Sequence, residues 1–87
     1  WKTMDTPPTA IFCATDAIAL RVLHYAAQQN WKVPGELSVV GVDDTLAAEL
    51  HTPALTSVSY PIAEQGHVAA RSLLRRMTGE TFPETLI

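Results

Sequence analysis

Short apolar runs alternate with a longer segment of helical periodicity in the first half of the chain. The run 9–14, TAIFCA, follows two prolines and is typical of a strand buried on both faces. Residues 17–29 contain neither glycine nor proline and predict a helix capped by Thr15 or Asp16. A second apolar run, 37–42, predicts another buried strand. The order strand, helix, strand predicts a βαβ unit, whose two strands run parallel.

The first predicted helix has two apolar stripes. One stripe at helical spacing is expected to face the sheet, and it comprises Ile18, Val22, Tyr25 and Ala26. The other is a further apolar patch that one small sheet cannot easily cover, and it comprises Leu20, Leu23, His24 and Ala27. Either a second subunit or neighbouring elements of the same lobe would cover that patch. Asn30 is expected to end the helix in a left-handed conformation.

A third strand and a second long helix are predicted in the remaining part of the chain. The run 54–60, ALTSVSY, contains β-branched residues and is closed by Pro61. A helix is predicted over residues 62–77, with an inner side formed by Val68, Leu73, Leu74 and Met77. Its last turns hold three arginines, which complement the negative end of the helix dipole: Arg71, Arg75 and Arg76. Residues 84–87, ETLI, resemble the start of another strand, so we expect a fragment of a longer protein.

Polar side chains follow each predicted strand. They are Thr15 and Asp16 after the first, Asp43 and Asp44 after the second, and Ser59 and Tyr60 at the end of the third. Ligands of open parallel sheets bind at the carboxyl ends of the strands, so these side chains are expected to surround one crevice. Asp16 and Asp44 each precede a helix and suit the role of a cap. Asp43 is not required as a helix cap, so it is the better candidate for binding a ligand.

Composition and charge exclude several classes of protein. The chain has 87 residues, of which 47% are hydrophobic and 17% charged, as expected for one small folded domain. Its formal net charge of -3 does not favour binding to nucleic acid by this segment. No window is apolar over the roughly 18 residues that a membrane span needs. The single cysteine, Cys13, lies in an apolar run and is interpreted as a small core residue.

The sequence contains no pattern typical of catalysis or of metal binding. A glycine-rich phosphate loop, a nucleophile elbow and the CxxC and HExxH motifs are all missing. The three histidines, His24, His51 and His67, lack the spacing of metal ligands. Ser57 and Ser59 have no evident base nearby in sequence. The chain is therefore interpreted as a binding module without cofactor rather than an enzyme.

Three motifs resemble the LacI/GalR (lactose-repressor) family of transcription regulators. They are PTAIFCATDAIAL, VPGELSVVGVDDT and TPALTSVSYPIAEQGHVAARSLL, and they occur in the family's order over nearly the whole chain. The resemblance implies an α/β fold with a parallel-sheet βαβ arrangement, part of a three-layer lobe of the periplasmic-binding-protein-like type I fold. Residues 1–87 would form a partial C-terminal subdomain of the ligand-sensing domain.

The resemblance also implies roles for individual residues. Thr15, Asp43 and Tyr60 fall on the family's effector-binding positions, although the family usually has asparagine at position 15 and often glutamine at position 60. Leu20 and the neighbourhood of His51 fall at the subunit contact, so the dimer interface is expected to include Leu20, Leu23, His24 and His51. Both departures at the effector positions replace an amide by a hydroxyl.

The function expected from the resemblance is sensing of a small effector, such as a sugar or nucleoside, by a cytoplasmic homodimeric regulator. Operator DNA would be bound by a headpiece outside this chain, and no membrane would be involved. The alternative is a lobe of a periplasmic sugar-binding protein for transport. A phospho-acceptor receiver domain fits poorly, because the third strand ends in Tyr60 rather than aspartate and no lysine follows it.

Overall fold

The computed structural model describes residues 3–81, which form three strands and three helices. In chain order these are β1 (Ala10–Phe12), α1 (Asp16–Gln28), β2 (Ser38–Val42), α2 (Leu46–Leu50), β3 (Thr56–Val58) and α3 (Ile62–Met77). The predicted alternation of strands and helices is confirmed, and each strand is shorter than the apolar run that predicted it. The strand start predicted at residues 84–87 lies outside the described residues.

The three strands form one parallel sheet in the order β1-β2-β3. Val39 of β2 lies opposite Ile11 of β1, and Gly41 of β2 lies opposite Ser57 of β3. The backbone N–H of Cys13 donates to the Val40 carbonyl at 2.7 Å, so pairing continues one residue beyond β1. The expected α/β class and the parallel direction of the strands are both confirmed, and all three strands end at the same edge of the sheet.

Local hydrogen bonds define both ends of α1. The Thr15 hydroxyl oxygen accepts the Ile18 backbone N–H at 3.2 Å, which makes Thr15 the N-terminal cap. Asn30 has a φ of 58°, the left-handed conformation expected of it. The next N–H, of Trp31, donates to the Ala26 carbonyl at 2.9 Å and satisfies a carbonyl of the last turn. The helix therefore begins and ends within one residue of the predicted limits.

The face of α1 that packs on the sheet differs from the expected one. Its buried residues are Asp16, Ala19, Leu23 and Ala26. Ile18 and Tyr25, expected to face the sheet, are 49% and 53% exposed, and Val22 is half-buried. Leu23, which we expected in the outer patch, is only 4% exposed. The assignment was right for Ala26, which is buried, and wrong for Ile18, Tyr25 and Leu23. Both stripes are apolar, whereas the close approach to β2 at Gly41 requires the small Ala19 side chain.

The hydrophobic core lies between α1, α2 and one face of the sheet. Its buried members are Cys13, Ala19, Leu23, Leu37, Val39, Ala48 and Leu55. The opposite face of the sheet is open in the described part of the chain: Phe12 is 69% exposed and Val58 46% exposed. Buried parallel sheets normally have both faces covered. The structure therefore shows one helix–sheet interface of the expected three-layer lobe, on one face of the sheet only within the described residues.

Helix α3 packs very little against the rest of the chain. None of its 16 residues is buried, and its contacts with the sheet and the other helices are marginal. Its predicted inner side is mostly open, since Leu73, Leu74 and Met77 are 60%, 61% and 73% exposed and Val68 is half-buried. The limits predicted for this helix are confirmed, but the expected burial of its apolar side is wrong within the described residues.

Candidate ligand-binding site

The site is formed by the loops that follow the carboxyl ends of the three parallel strands. β1 leads to Thr15 and Asp16 at the start of α1, β2 leads to Asp43 and Asp44, and β3 leads to Tyr60. Parallel strands bring these loops to one edge of the sheet, the usual location of ligands in open α/β sheets. The expected gathering of polar side chains at this edge is present.

Asp16 is the buried centre of this edge, with no exposed surface. Its Oδ2 accepts the backbone N–H of Thr45 at 2.8 Å and the Thr45 hydroxyl at 2.9 Å. Its Oδ1 accepts the Ser57 hydroxyl at 2.5 Å. Burial by itself would raise the pKa of Asp16, but these three hydrogen bonds outweigh it and lower the pKa below the ordinary aspartate value. Asp16 is therefore an ionised structural residue rather than a group that faces a ligand.

The absence of a side chain at Gly41 allows the Asp16 carboxylate to lie against β2. A Cβ at position 41 would collide with Oδ1 of Asp16 and would lie 3.1 Å from the Asp16 Cα and 3.2 Å from the Ala19 Cβ. A side chain at position 41 would therefore require Asp16 and Ala19 to shift. The glycine of the VVGVDD segment is therefore required by the close approach of α1 to the sheet rather than by the conformation of its own backbone.

The turn between β2 and α2 has an unusual backbone. Asp43 and Asp44 have φ values of 117° and 54°, a region that residues other than glycine enter infrequently. Two hydrogen bonds hold them there: the Asp43 N–H donates to the Val58 carbonyl at 3.0 Å, and the Asp44 N–H donates to the Ser57 hydroxyl oxygen at 2.9 Å. Both bonds go to β3, so the position of this turn depends on the neighbouring strand.

The side chains of Asp43 and Tyr60 are in direct contact. The Tyr60 hydroxyl donates to Oδ1 of Asp43 at 2.9 Å, and the hydrogen bond, the negative charge of Asp43 and burial raise the pKa of Tyr60. The phenol is therefore protonated at neutral pH. The other oxygen of Asp43 has no hydrogen-bond partner within residues 3–81, and Tyr60 is 41% exposed. The pair offers a carboxylate acceptor beside an accessible aromatic ring.

Thr15 lies at the same edge but is not joined to this pair. Its hydroxyl oxygen is used as the cap of α1, and the described residues show no hydrogen bond from it to Asp43 or Tyr60. The hydroxyl proton can still be donated, since the capping bond uses only a lone pair. The structure thus places two of the three expected ligand residues in contact and the third on the adjacent loop.

Sequence reasoning missed the roles of Ser57 and Thr45. Ser57 has an acidic partner after all, Asp16, which is 41 positions away in sequence. Its hydroxyl donates its proton to Asp16 and accepts the N–H of Asp44 with a lone pair. Thr45 caps α2 by accepting the Ala48 N–H at 3.2 Å, a role that had been expected of Asp44. The available signal was the threonine three residues before Ala48, since threonine is also a favoured cap.

Two classes of feature are missing from the described part of the chain. Residues 3–81 contain no group of three histidine, cysteine or acidic side chains that could hold a metal ion. None of the helices in this range has the length and apolar character needed to cross a lipid bilayer. The polar groups present at this edge are hydroxyls, the carboxylates of Asp43 and Asp44, and the phenol of Tyr60.

Comparison with known proteins identifies the family. Residues 1–87 match the periplasmic binding protein-like domain. Catabolite control protein A of Priestia megaterium is 40% identical over 83 residues, which are 95% of this chain and 25% of the relative. The HTH-type transcriptional repressor CytR of Escherichia coli is 40% identical over 77 residues, 88% of this chain and 23% of the repressor. The chain belongs to the LacI/GalR family, in its periplasmic binding protein-like region.

A solved structure of the family supports the same fold. The transcriptional regulator CelR in complex with cellobiose superimposes with a TM-score of 0.83 at 38% identity, over 88% of this chain and 24% of that one. The chain thus spans about a quarter of the length of the relatives it matches. CytR is named as a transcriptional repressor and CelR as a transcriptional regulator, which favours the LacI-type interpretation over a transport protein.

One of the four residues expected at the LacI-type subunit contact is not at the surface of the described chain. Leu23 is part of the core, so its side chain does not belong to an outer patch. Leu20 is half-buried, His24 is exposed, and His51 is half-buried after the end of α2. The Nδ1 of His51 lies 2.9 Å from the Pro53 carbonyl oxygen, to which it donates when that nitrogen carries the proton. The candidate contact is reduced to Leu20, His24 and His51.

Proposed function

We propose that this chain is part of the effector-sensing, dimer-forming C-terminal subdomain of a LacI-type transcription regulator. The observation that carries the proposal is the contact between Asp43 and Tyr60 at the carboxyl edge of a parallel sheet. It leaves one carboxylate oxygen and a partly exposed aromatic ring for a ligand. The regulatory names of the relatives, at about 40% identity, support the same function.

The chemistry of the edge suits a small polyhydroxylated ligand with a flat face. The free oxygen of Asp43 accepts a hydrogen bond from a ligand hydroxyl, and bonds to a charged acceptor are among the stronger ones. The Tyr60 ring offers a surface for a pyranose ring or a nucleobase, and the Thr15 hydroxyl supplies a donor. We therefore propose a sugar or nucleoside as effector. The cellobiose complex of CelR supports a sugar.

The regulation follows from a difference in affinity between two arrangements of the sensor. An effector that binds one arrangement more tightly shifts the equilibrium towards it, and only by that difference. In the proposed protein, closure around the effector changes how two DNA-binding headpieces fit an operator. The net charge of -3 on this chain is consistent with DNA contact through a different part of the protein, which would act in the cytoplasm.

The proposed effector site can be tested with a panel of sugars and nucleosides. The full-length protein is mixed with each compound, and its melting temperature and its affinity for operator DNA are both measured. At least one compound is expected to raise the melting temperature, because a ligand that binds only the folded state stabilises it. The same compound should change DNA affinity. A panel in which no compound affects either quantity contradicts the proposal.

The proposed dimer contact needs a separate experiment. Leu20→Glu places a charge at the centre of the candidate contact, and it is expected to yield a folded monomer that still binds the effector. Lys32→Glu, on an exposed residue of the loop after α1, is the matched control and should leave the dimer intact. Sedimentation velocity separates the outcomes. A folded Leu20→Glu protein that remains dimeric shows that the contact is wrongly assigned.

A further inference from the structure

A continuous set of hydrogen bonds connects buried Asp16 to the turn that carries Asp43. Ser57 donates to Oδ1 of Asp16 at 2.5 Å and accepts the Asp44 N–H at 2.9 Å. On the other side of the turn, Thr45 donates its N–H and its hydroxyl to Oδ2 of Asp16 at 2.8 and 2.9 Å. Both oxygens of Asp16 are therefore linked to the residues that follow Asp43.

The turn needs such a restraint because of its backbone. Asp43 at a φ of 117° and Asp44 at 54° are two successive residues in a region that costs free energy for L-amino acids. Such conformations persist only where the surroundings hold them. The turn is held by the Val58 carbonyl, which accepts the Asp43 N–H, and by the hydrogen-bonded set of Asp16, Ser57 and Thr45. Loss of that set would allow the turn to relax.

Relaxation of the turn would move the ligand-binding pair. The Asp43 carboxylate meets the Tyr60 hydroxyl at 2.9 Å, and Tyr60 lies on a different strand end, after β3. A change in the φ values of the turn would move the Asp43 side chain relative to β3, because Asp43 is itself one of the two turn residues with a positive φ. The hydrogen bond to Tyr60 therefore reports whether the turn is held.

We propose that Asp16 is a positioning residue for effector recognition. Through Ser57 and Thr45 its carboxylate holds the Asp43–Asp44 turn, and thereby fixes the carboxylate of Asp43 against Tyr60. The inference rests on the proposed function, in which Asp43 and Tyr60 bind the effector. Asp16 itself does not touch the ligand, since it has no exposed surface. Gly41 contributes to the same arrangement, because the absence of a side chain at this position leaves room for the Asp16 carboxylate.

The test follows the Tyr60 side chain in the full-length protein labelled with 13Cζ-tyrosine. Tyr60→Phe identifies the Tyr60 signal by its loss, and Asp43→Asn gives the signal position without the charged partner. Ser57→Ala removes the link between Asp16 and Asp44, whereas Ser57→Thr keeps a hydroxyl at that place. Thr45→Ala and Thr45→Ser form a second matched pair on the other side of the turn. Each spectrum is recorded at neutral pH beside a thermal unfolding curve.

The Tyr60 signal of Ser57→Ala is expected to move at least half of the way towards that of Asp43→Asn, and Ser57→Thr should stay at the wild-type position. If Ser57→Ala does not fold, the Thr45 pair gives the same comparison. A role limited to stability would lower the melting temperature of the alanine variants and leave the Tyr60 signal in place. That result overturns the inference.

Failure of the proposed function gives a different result. If no sugar or nucleoside perturbs the wild-type Tyr60 signal, while Ser57→Ala still moves it, the effector assignment is wrong and the positioning of the turn stands. If ligands perturb the signal and neither Ser57→Ala nor Thr45→Ala moves it, the effector site stands and Asp16 has no positioning role. The two proposals are thus separated by the same set of spectra.

Discussion

The strand ends and helix α3 differ in what holds them. At the strand ends, one buried carboxylate accepts three hydrogen bonds from two other segments of the chain. α3 is the longest element, with 16 residues, and none of them is buried. The difference shows that length and amphipathic character predict a helix without predicting its packing. Contacts between distant segments depend here on small and polar residues.

Helix α3 has local side-chain hydrogen bonds at its C-terminal end and no side-chain cap at its N-terminal end. Near the C-terminus, the Arg75 Nε donates to Glu80 at 2.6 Å and the Thr78 hydroxyl donates to the Arg75 carbonyl at 2.8 Å. These bonds span three to five residues and are exposed, so they contribute little to the stability of the whole chain. Substitutions in the two regions should therefore have different effects on the free energy of unfolding.

The largest difference is expected between Leu23→Ala and Leu73→Ala. Leu23 is 4% exposed in the core, and its truncation should cost about 2 to 5 kcal/mol, the sum of lost burial and a cavity. Leu73 is 60% exposed on α3, and its truncation should cost less than about 0.5 kcal/mol. Urea unfolding of the 87-residue chain measures both. Equal losses would mean that α3 packs as firmly as α1.

A smaller and opposite pair of effects is expected for two glycines. Gly41→Ala inserts a methyl group against Asp16, and it should destabilise the chain by about 1 to 3 kcal/mol. Gly66→Ala in α3 meets no atom within 4 Å and should stabilise the helix by up to about 1 kcal/mol. Thermal unfolding followed by circular dichroism distinguishes them. A Gly41→Ala variant with the same stability as the wild type would contradict the close approach of Asp16 to β2.

The smallest difference is expected between Thr45→Ala and Glu80→Gln. Thr45→Ala removes the cap of α2 and one bond to Asp16, at a cost of about 0.5 to 2 kcal/mol. Glu80→Gln weakens an ion pair whose side chains are 55% and 52% exposed, so its cost should stay below about 1 kcal/mol. Chemical unfolding at low and high salt checks the pair. A larger loss of stability for Glu80→Gln than for Thr45→Ala would contradict this expectation.

Local patterns were sufficient for the elements and their order. Thr15, Asn30 and the apolar runs predicted α1 and the strands around it, because caps, stops and strand punctuation depend on neighbours in sequence. The family motifs supported the parallel arrangement, and parallel strands place their ends at one edge. For the same reason, the sequence predicted that Asp43 and Tyr60 lie at one edge, although it did not predict the hydrogen bond between them.

The packing of an element could not be predicted from the sequence where two of its faces have the same local pattern of residues. Both stripes of α1 are apolar, so periodicity could not decide between Ile18 and Ala19 as the residue facing β2. The link between Asp16 and Ser57 joins residues 41 positions apart, and no spacing rule predicts it. The positive φ of Asp43 likewise follows from its bond to Val58, a residue of another strand.

The most direct test of the proposed function compares two neighbouring acids in the full-length protein. Asp43→Asn removes the charged acceptor of the proposed site, whereas Asp44→Asn alters a side chain with no hydrogen bond among the described residues and keeps a residue type that tolerates a positive φ. Calorimetric titration uses the sugar or nucleoside that gives the largest thermal shift. Asp43→Asn should weaken binding by about 10-fold or more, since a hydrogen bond to a charged group contributes about 1.5 to 3 kcal/mol. Asp44→Asn should bind like the wild type. Equal affinities for the wild type and Asp43→Asn would contradict the assignment of this edge as the effector site.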